Sequence, residues 1–182
     1  TMSIFLDGVN LSVEDQYFLT RFAALSVLDF LRKIGIHAQI KWPNDIYVDR
    51  NKIAGILIEN ILTAATIKKS IIGIGLNINQ DQQLCDNATS VKSVTGISRS
   101  IDEVLFSLIG CFNSRMAQGL KSEELESEYL EHLYLLNQRA FFADKHGEFE
   151  GTIRGVAPNG KLSILKNGEK MLYGIKEIEF KR

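Results

Sequence analysis

One lysine, Lys41, stands where its charge is unexpected, between Ile40 and Trp42 in a short apolar stretch that Pro43 ends. Alternation along a strand turns Ile40 and Trp42 to one side and Lys41 to the other. An ammonium group fixed on a sheet face suits the binding of an anion, and the alternative is an ordinary solvated lysine. Trp42 is expected to belong to the core because it lies on the face opposite Lys41.

The stretch IIGIGLNIN, at residues 71–79, also divides into two unlike faces. Its aliphatic face consists of Ile72, Ile74, Leu76 and Ile78. Gly73 and Gly75 lie on the other face, and Asn77 follows them. Because glycine weakens a strand, two glycines on one face favour a groove in which a ligand lies against the backbone. The alternative, a large neighbouring side chain that fills the gap, remains open on this stretch alone.

A third segment, residues 52–59, contributes another glycine to the same argument. Alternation groups Ala54 with Ile56 on one face, and Ile53 with Gly55 on the other. If these three strands are neighbours, one concave sheet face carries a set of glycines with a lysine and an asparagine. That set is Lys41, Gly55, Gly73, Gly75 and Asn77.

Helices and strands of ordinary length are predicted to position these residues. Helices are expected to begin at Ser12, Ser100 and Ser122, the first of them ending at Gly35, with a short helix near Ser90. The apolar stripe of the second long helix consists of Ile101, Val104, Leu105, Leu108, Ile109, Phe112 and Met116. Strands are expected at residues 1–6, 38–42, 46–48, 52–61 and 70–79.

The pattern of the sequence changes near Asn137. From there short alternating segments are separated by turns, two of which are Asn-Gly pairs that end at Gly160 and Gly168. Asn-Gly between alternating segments is a strong hairpin signal. We therefore predict two domains, an α/β domain at residues 1–136 and a small β-barrel at residues 137–182.

Composition excludes several classes of protein. The chain has 182 residues and a formal net charge of −1, so it offers no basic face for nucleic acid. No apolar run approaches the roughly 18–20 residues of a membrane span. The opening residues predict a strand and a turn rather than a secretory leader, and the expected location is the cytoplasm. Cys85 and Cys111 are too few to predict a zinc site or a disulfide framework, and both thiols are expected to be inert.

Three segments in order resemble the biotin–protein ligase family: KWPND at residues 41–45, KIAGILIE at residues 52–59 and GIGLNIN at residues 73–79. The likeness extends from the opening TMSIFL to the tail, which is similar to the family's SH3-like C-terminal domain. The resemblance implies an α+β fold in which a mixed sheet is packed with helices, as in class II synthetase-like biotin and lipoate ligases, followed by a small SH3-like barrel.

The resemblance implies an ATP-dependent ligase that acts in two steps. Biotin's carboxylate attacks the α-phosphate of ATP to give biotinyl-5′-AMP, and a lysine of a carboxylase's biotin carboxyl carrier domain then displaces AMP. Mg²⁺ would enter with ATP, held by phosphates and water, so no protein metal ligand is predicted. A homodimer is allowed, whereas neither a membrane nor nucleic acid is an expected partner of this portion.

The same resemblance assigns a role to each candidate residue. Lys41 is the catalytic cation that lowers the repulsion between carboxylate and phosphate. Gly73 and Gly75 let biotin's ring lie flat, Gly55 lines the same face, and Asn77 contacts the nucleotide.

Four further assignments concern neighbours of these residues. Ile46 and Ile74 are expected to supply apolar contacts for the ring and the valeryl chain. Asn44 and Asp45 are expected to hold the turn through side-chain to backbone bonds.

Two motifs of the family are not found in these residues, the Gly-Arg-Gly-Arg type biotin loop and the Ser-Thr-Asn stretch that precedes it. We therefore expect a ligase that lacks its N-terminal portion. Two alternatives stay open, an inactive folded fragment with residual ligand affinity and a lipoate–protein ligase.

Overall fold

The computed structural model describes residues 1–81, 87–118 and 122–181 of the protein. These residues form an α+β fold with two five-stranded sheets, which confirms the predicted fold class. The first sheet contains β1 (Met2–Ser12), β2 (Gln39–Lys41), β3 (Asp45–Val48), β4 (Asn51–Thr63) and β5 (Thr66–Leu76). The helices are α1 (Tyr17–Lys33), α2 (Val91–Thr95), α3 (Ile101–Ala117) and α4 (Ser122–Glu131). The second sheet contains β6 (Arg139–Asp144), β7 (Gly147–Val156), β8 (Leu162–Lys166), β9 (Glu169–Tyr173) and β10 (Glu179–Phe180).

The first sheet has the strand order β1-β5-β4-β3-β2. Its neighbouring strands all pair antiparallel. For three of the four pairs, β2 with β3, β3 with β4 and β4 with β5, a short turn joins the strands and requires this direction. The expectation of a mixed sheet is corrected in this detail, since the named strands of the described residues contain no parallel pair. The predicted hairpin at residues 46–61 is confirmed, and β5 ends at Leu76 rather than at residue 79.

Helix α1 covers one face of this sheet and supplies much of the core. Before it, the Ser12 hydroxyl accepts a hydrogen bond from the Glu14 N–H and caps a single 3₁₀ turn. Phe22, Leu25 and Leu31 recur at helical spacing, and at most 2% of each is exposed. The predicted helix is therefore confirmed in its buried stripe, which anchors the sheet, but the α-helix begins at Tyr17 rather than at Ser12.

Helix α3 is only half covered. Ser100 caps it as predicted, with its hydroxyl accepting from the Glu103 N–H. Three of the seven residues of the predicted apolar stripe are buried, namely Val104, Leu108 and Phe112. The other four are exposed, namely Ile101, Leu105, Ile109 and Met116.

Arg115, near the end of α3, ties three helices together. Its guanidinium donates to both carboxylate oxygens of Asp29 in α1 and to both of Glu128 in α4. Only 7% of the Arg115 side chain is exposed. Bidentate pairing on two sides satisfies this buried charge, and it lowers the pKa of Glu128.

The second sheet has the order β10-β6-β7-β8-β9 and is antiparallel throughout. A C-terminal sheet of this size is compatible with the SH3-like barrel, although the division of the chain at Asn137 stays a prediction. The two sheets meet at Gly160, whose carbonyl accepts a hydrogen bond of 2.8 Å from Trp42 Nε1. Trp42 is 4% exposed, as expected of a core residue.

The outer edge of β2 is covered by the chain that follows α4. The Ile40 N–H donates to the His132 carbonyl at 2.8 Å, and the Tyr134 N–H donates to the Ile40 carbonyl at 2.9 Å. This backbone pairing fixes the strand that carries Lys41 on both of its sides.

Two remaining sequence-based expectations concern the cysteines and membrane helices. Cys111 is buried and is not in a disulfide, whereas Cys85 lies outside the described residues. No helix in the described ranges is both long and apolar enough to span a bilayer.

Candidate functional site

The face of the first sheet that α1 does not cover carries the predicted glycines. Cross-strand register aligns Lys41 with Asp45, Asp45 with Gly55, and Gly55 with Gly75 in one row. The next row aligns Gly73 with Ser3 on one side and Leu57 on the other. The structure therefore brings Lys41, Gly55, Gly73 and Gly75 onto one face, as alternation predicts.

This face is bare where two of the glycines lie. A Cβ added to Gly73 would have its nearest neighbour, the Leu57 carbonyl oxygen, at 3.7 Å. A Cβ added to Gly75 would lie 4.0 Å from the Gly55 oxygen. Among the described residues, the one side-chain atom within 4 Å of these two added Cβ positions is Leu57 Cβ, 3.8 Å from that of Gly73, so the exposed backbone of β5 forms the floor of a hollow.

Lys41 stands at the end of this row in a half-buried position. Its Nζ donates to the Tyr47 hydroxyl at 3.1 Å and lies 4.6 Å from the centre of that ring. The ring of Phe180, in β10 of the second sheet, has its centre 5.1 Å from the same Nζ. The ammonium is thus held by two aromatic residues and is not free in bulk solvent.

The turn after Lys41 is fixed by Asn44, one of the two residues that were expected to hold it. Asn44 Nδ2 donates to the Ile56 carbonyl at 2.7 Å, and the Ile56 N–H donates to the Asn44 carbonyl at 2.9 Å. Asp45 acts differently from the expectation, because its carboxylate forms an ion pair with Lys52.

Lys52 is a second cation on this face, and sequence analysis missed it. A Cβ added to Gly55 would lie 3.0 Å from Lys52 Nζ, so the ammonium covers this glycine. The register passes from Ile46 opposite Ala54 to Tyr47 opposite Lys52, which makes Ile53 an extra residue in β4. This bulge turns Ile53 into the core, at 0% exposed, and carries Lys52 to the glycine face.

Three predicted site residues occupy other places. Ile46 and Ile74, expected to contact the ligand, are 0% and 1% exposed and pack in the core on the opposite face of the sheet. Asn77 lies beyond the end of β5, where its Nδ2 donates to the Thr89 carbonyl at 3.0 Å. Alternation does not continue past Leu76, so Asn77 holds the loop before α2 from that position.

Two buried tyrosines, Tyr17 and Tyr129, support the turn that contains Pro43. Tyr17 Oη donates to the Pro43 carbonyl at 3.3 Å, and it lies 2.8 Å from the hydroxyl of Tyr129. Burial raises the pKa of Tyr17 and that of Tyr129, so both hydroxyls stay protonated at neutral pH. The turn that carries Lys41 therefore rests on neutral, hydrogen-bonded groups.

Comparisons with known proteins agree with this geometry. Residues 3–77 match the model of the biotin/lipoate A/B protein ligase family. These residues include Lys41 and the first two segments in full, and the third segment as far as Asn77.

A curated relative, the bifunctional ligase/repressor BirA of Bacillus subtilis, is 32% identical over 166 residues. That alignment covers 85% of this chain and 50% of the relative, so the chain spans about half the length of the curated relatives it matches.

Among solved structures, the apo biotin protein ligase of Aquifex aeolicus superposes with a TM-score of 0.77 at 25% identity, covering 99% of this chain and 80% of that one. The complex of the Aquifex aeolicus enzyme with biotin and ATP, at 24% identity, has the same fold with a TM-score of 0.77 over 99% of this chain and 77% of that one. The matched segments, the relatives and the shared fold together show that this chain belongs to the biotin–protein ligase family.

Proposed function

We propose that this chain is the catalytic part of an ATP-dependent biotin–protein ligase. It forms biotinyl-5′-AMP and transfers biotin to a lysine of a carboxylase's biotin carboxyl carrier domain. The observation that carries the proposal is the bare floor at Gly73 and Gly75 with the Lys41 ammonium at its end, in a chain of this family.

In the first step, an oxygen of biotin's carboxylate bonds to the α-phosphorus of ATP as the bond to pyrophosphate breaks. Two anions must approach each other, and the fixed charge of Lys41 lowers that repulsion. The glycine floor leaves room for a flat ring against β5, so the carboxylate can be brought towards Lys41 in a defined orientation.

In the second step, the amine of the carrier lysine attacks the carbonyl carbon of the mixed anhydride and AMP departs. Lys41 again stabilises negative charge, now on the leaving phosphate. Lys52 adds a second positive charge beside Gly55, and we propose that it supports the same anionic region.

Asn77, by its place after β5, is proposed to help shape the nucleotide side of the site through the loop that it holds. The described residues include no group of three or more side chains suited to hold a metal ion. We propose that Mg²⁺ enters with ATP, carried by the nucleotide phosphates and water.

Two proposals concern the setting of the enzyme. We propose the cytoplasm as its compartment, because the reaction consumes ATP and Cys111 is a buried thiol outside any disulfide. We propose a second copy of the chain as a further partner, since Phe5, Leu57 and Ile71 leave apolar surface on the exposed sheet face. Sedimentation of the purified chain at increasing concentration tests the second of these.

The function is tested by two assays on the chain alone and on the chain extended by residues encoded upstream of Thr1. Biotin-dependent exchange of labelled pyrophosphate into ATP reports the first step, and transfer of labelled biotin to a purified carrier domain reports the second. We expect exchange and transfer by at least the extended form. Failure of both forms in both assays would contradict the proposal, and exchange with lipoate but not biotin would assign the site to a lipoate ligase.

A further inference from the structure

The Lys41 ammonium is held without a carboxylate partner. Asp45 stands opposite Lys41 in the β2–β3 register, yet its carboxylate pairs with Lys52. Within the described residues, no ion pair joins Lys41 to an acid. Its positive charge is therefore available to an incoming anion.

Two aromatic residues replace the missing carboxylate. Tyr47 Oη accepts one N–H of the ammonium at 3.1 Å. The ring of Phe180, centred 5.1 Å away, lies within the range of a cation–π contact. An aromatic ring attracts the positive charge of Lys41 through its quadrupole, but it does not take up an N–H group of the ammonium as a carboxylate would. The remaining N–H groups of Lys41 can therefore donate to carboxylate and phosphate oxygens of a ligand.

Phe180 is itself held firmly by the second sheet. β10 pairs with β6, with Phe180 opposite Phe142, and the Lys181 N–H donates to the Phe141 carbonyl at 2.8 Å. The Phe180 ring meets the fully buried ring of Phe142 edge-on, with centres 5.3 Å apart. The ring thus has a fixed position relative to the sheet that carries Lys41.

We propose that Phe180 is a positioning residue for Lys41: a ring from the C-terminal sheet aims the lysine's ammonium at the anion site. The inference rests on the proposed function and extends it, because it gives the C-terminal sheet a direct part in adenylate formation. A lysine side chain has many rotamers, and an ammonium held in one place stabilises a transition state without first being ordered.

The contact itself is tested by NMR on the chain labelled with ¹³C-lysine. The Lys41 Hε signals, assigned by their loss in Lys41→Arg, should be shifted upfield by the ring. In Phe180→Leu, which keeps apolar volume without a ring, they should move towards the random-coil position. Phe180→Tyr should retain the shift. Unchanged Lys41 signals in a folded Phe180→Leu would overturn the proposal.

A matched control lies in the same sheet. The Phe149 ring lies under another lysine, with its centre 3.9 Å from Lys166 Nζ, and it stacks on Tyr173. Phe149→Leu therefore removes a comparable cation–π contact and loosens the same sheet without touching Lys41. We expect normal Lys41 signals and normal pyrophosphate exchange in this variant. A loss of exchange equal to that of Phe180→Leu would show that the effect is general loosening.

The effect of Phe180 on catalysis is tested by pyrophosphate exchange, measured on whichever form of the protein is active. Phe180→Leu should lower kcat by roughly 3- to 10-fold, the size of one cation–π contact, with little change in KM for biotin. Phe180→Tyr should restore most of kcat. A normal kcat in Phe180→Leu, with the NMR shift lost, would overturn the positioning role. If the wild-type protein shows no exchange, the proposed function fails even where the NMR contact is present, so the two failures are distinguishable.

Discussion

At the scale of single residues, the two lysines nearest the glycines, Lys41 and Lys52, differ in what neutralises them. Lys52 has a carboxylate partner in Asp45, whereas Lys41 has a hydroxyl and aromatic rings. An ion pair reduces the net charge that a ligand meets, and an aromatic contact does not. The two lysines are therefore expected to contribute unequally to catalysis, with Lys41 as the dominant one.

Replacing Lys41 tests this assignment. Lys41→Ala should lower the rate of pyrophosphate exchange in the active form about 10²–10³-fold, because a preorganised charge at the reacting centre is lost. The fold should persist, since this side chain is only half buried. Lys69→Ala is the control, because Lys69 faces the same side of the sheet but pairs with Asp7 in a distant row. Equal exchange rates in the two variants would disprove the role.

Filling the hollow tests the glycine floor. Gly75→Val places a β-branched residue in a strand where the nearest atom to a new Cβ is 4.0 Å away, so the free energy of unfolding should change by less than about 1 kcal/mol. Biotin affinity, measured by titration calorimetry on the active form, should fall at least about tenfold because the ring's place is occupied. Gly110→Ala in α3, where a new Cβ meets nothing within 4 Å, should leave biotin affinity unchanged. Normal biotin affinity in Gly75→Val would show that biotin binds elsewhere.

The residues of this face were predictable to the point where strand alternation holds. Lys41, Gly73 and Gly75 were found because β2 and β5 alternate regularly around them. Lys52 was missed because the bulge at Ile53 reverses the alternation. Its signal was the adjacent pair Ile53 and Ala54, two apolar neighbours that are both buried.

At the scale of elements, the site depends on how β2 is supported from its outer edge. His132 provides a backbone carbonyl to Ile40, and its Nε2 lies 2.9 Å from Arg32 Nη2. Burial and the positive charge of Arg32 lower the pKa of His132 below its ordinary value of 6.5. The neutral ring, accepting a hydrogen bond from Arg32, is therefore the form that stabilises this edge.

This pKa shift gives the stability a defined pH dependence. Because the folded protein binds fewer protons at His132 than the unfolded chain, the stabilisation is present above pH 6.5 and is lost as the pH falls through the lowered pKa. Urea unfolding at pH 7.5 and at pH 5 should show a drop in the free energy of unfolding on acidification. His132→Gln should make that drop smaller, whereas His146→Gln, in an exposed turn, should leave it as it is. An identical drop in both variants would contradict the assignment.

The helices give a second prediction at this scale. Arg115→Ala leaves Asp29 and Glu128 without their shared partner, and it should lower the free energy of unfolding by about 3 kcal/mol. Ser114→Ala, one residue earlier on α3, removes only a hydroxyl that bonds within its own helix. Urea unfolding of the two variants provides the comparison, and similar midpoints would show that the network adds little.

The elements themselves were largely predictable, since apolar periodicity located α1 and α3 and the capping Ser100 marked the start of α3, whereas Ser12 caps only the 3₁₀ turn before α1. What the sequence could not show was the antiparallel order of the sheet, because register and neighbours depend on contacts between distant segments. The backbone pairing between β2 and the segment after α4 could not be predicted either, since main-chain hydrogen bonds do not depend on the type of side chain.

At the scale of the whole molecule, the two sheets are joined through a glycine. Gly160 lies against Tyr17 in a left-handed conformation with φ of +83°, and its carbonyl accepts from Trp42. The contact could not be predicted, because the Asn-Gly pair at 159–160 indicated only a hairpin turn. The structure shows a turn that also docks onto the segment beside Lys41.

Alanine substitutions at two turn glycines, Gly160 and Gly168, distinguish backbone strain in a turn from the loss of packing between the two sheets. A Cβ at Gly160 would lie 2.6 Å from Tyr17 Cδ2, whereas a Cβ at Gly168, with φ of +86°, meets nothing within 4 Å. Gly168→Ala should therefore cost only the backbone strain, about 1–2 kcal/mol. Gly160→Ala should cost about 1–3 kcal/mol more, because the clash must be relieved. Urea unfolding followed by circular dichroism measures both, and equal losses would show that the sheets are not packed through this glycine.

The position of Trp42 has a practical consequence. It is the only tryptophan in the chain, and it is adjacent to the lysine on which the proposed chemistry depends. Selectively excited fluorescence of the unlabelled protein therefore reports from one spot, the boundary between the ligand-facing strand and the tail. Inhibitor screens and stopped-flow mixing can follow events there with no dye attached.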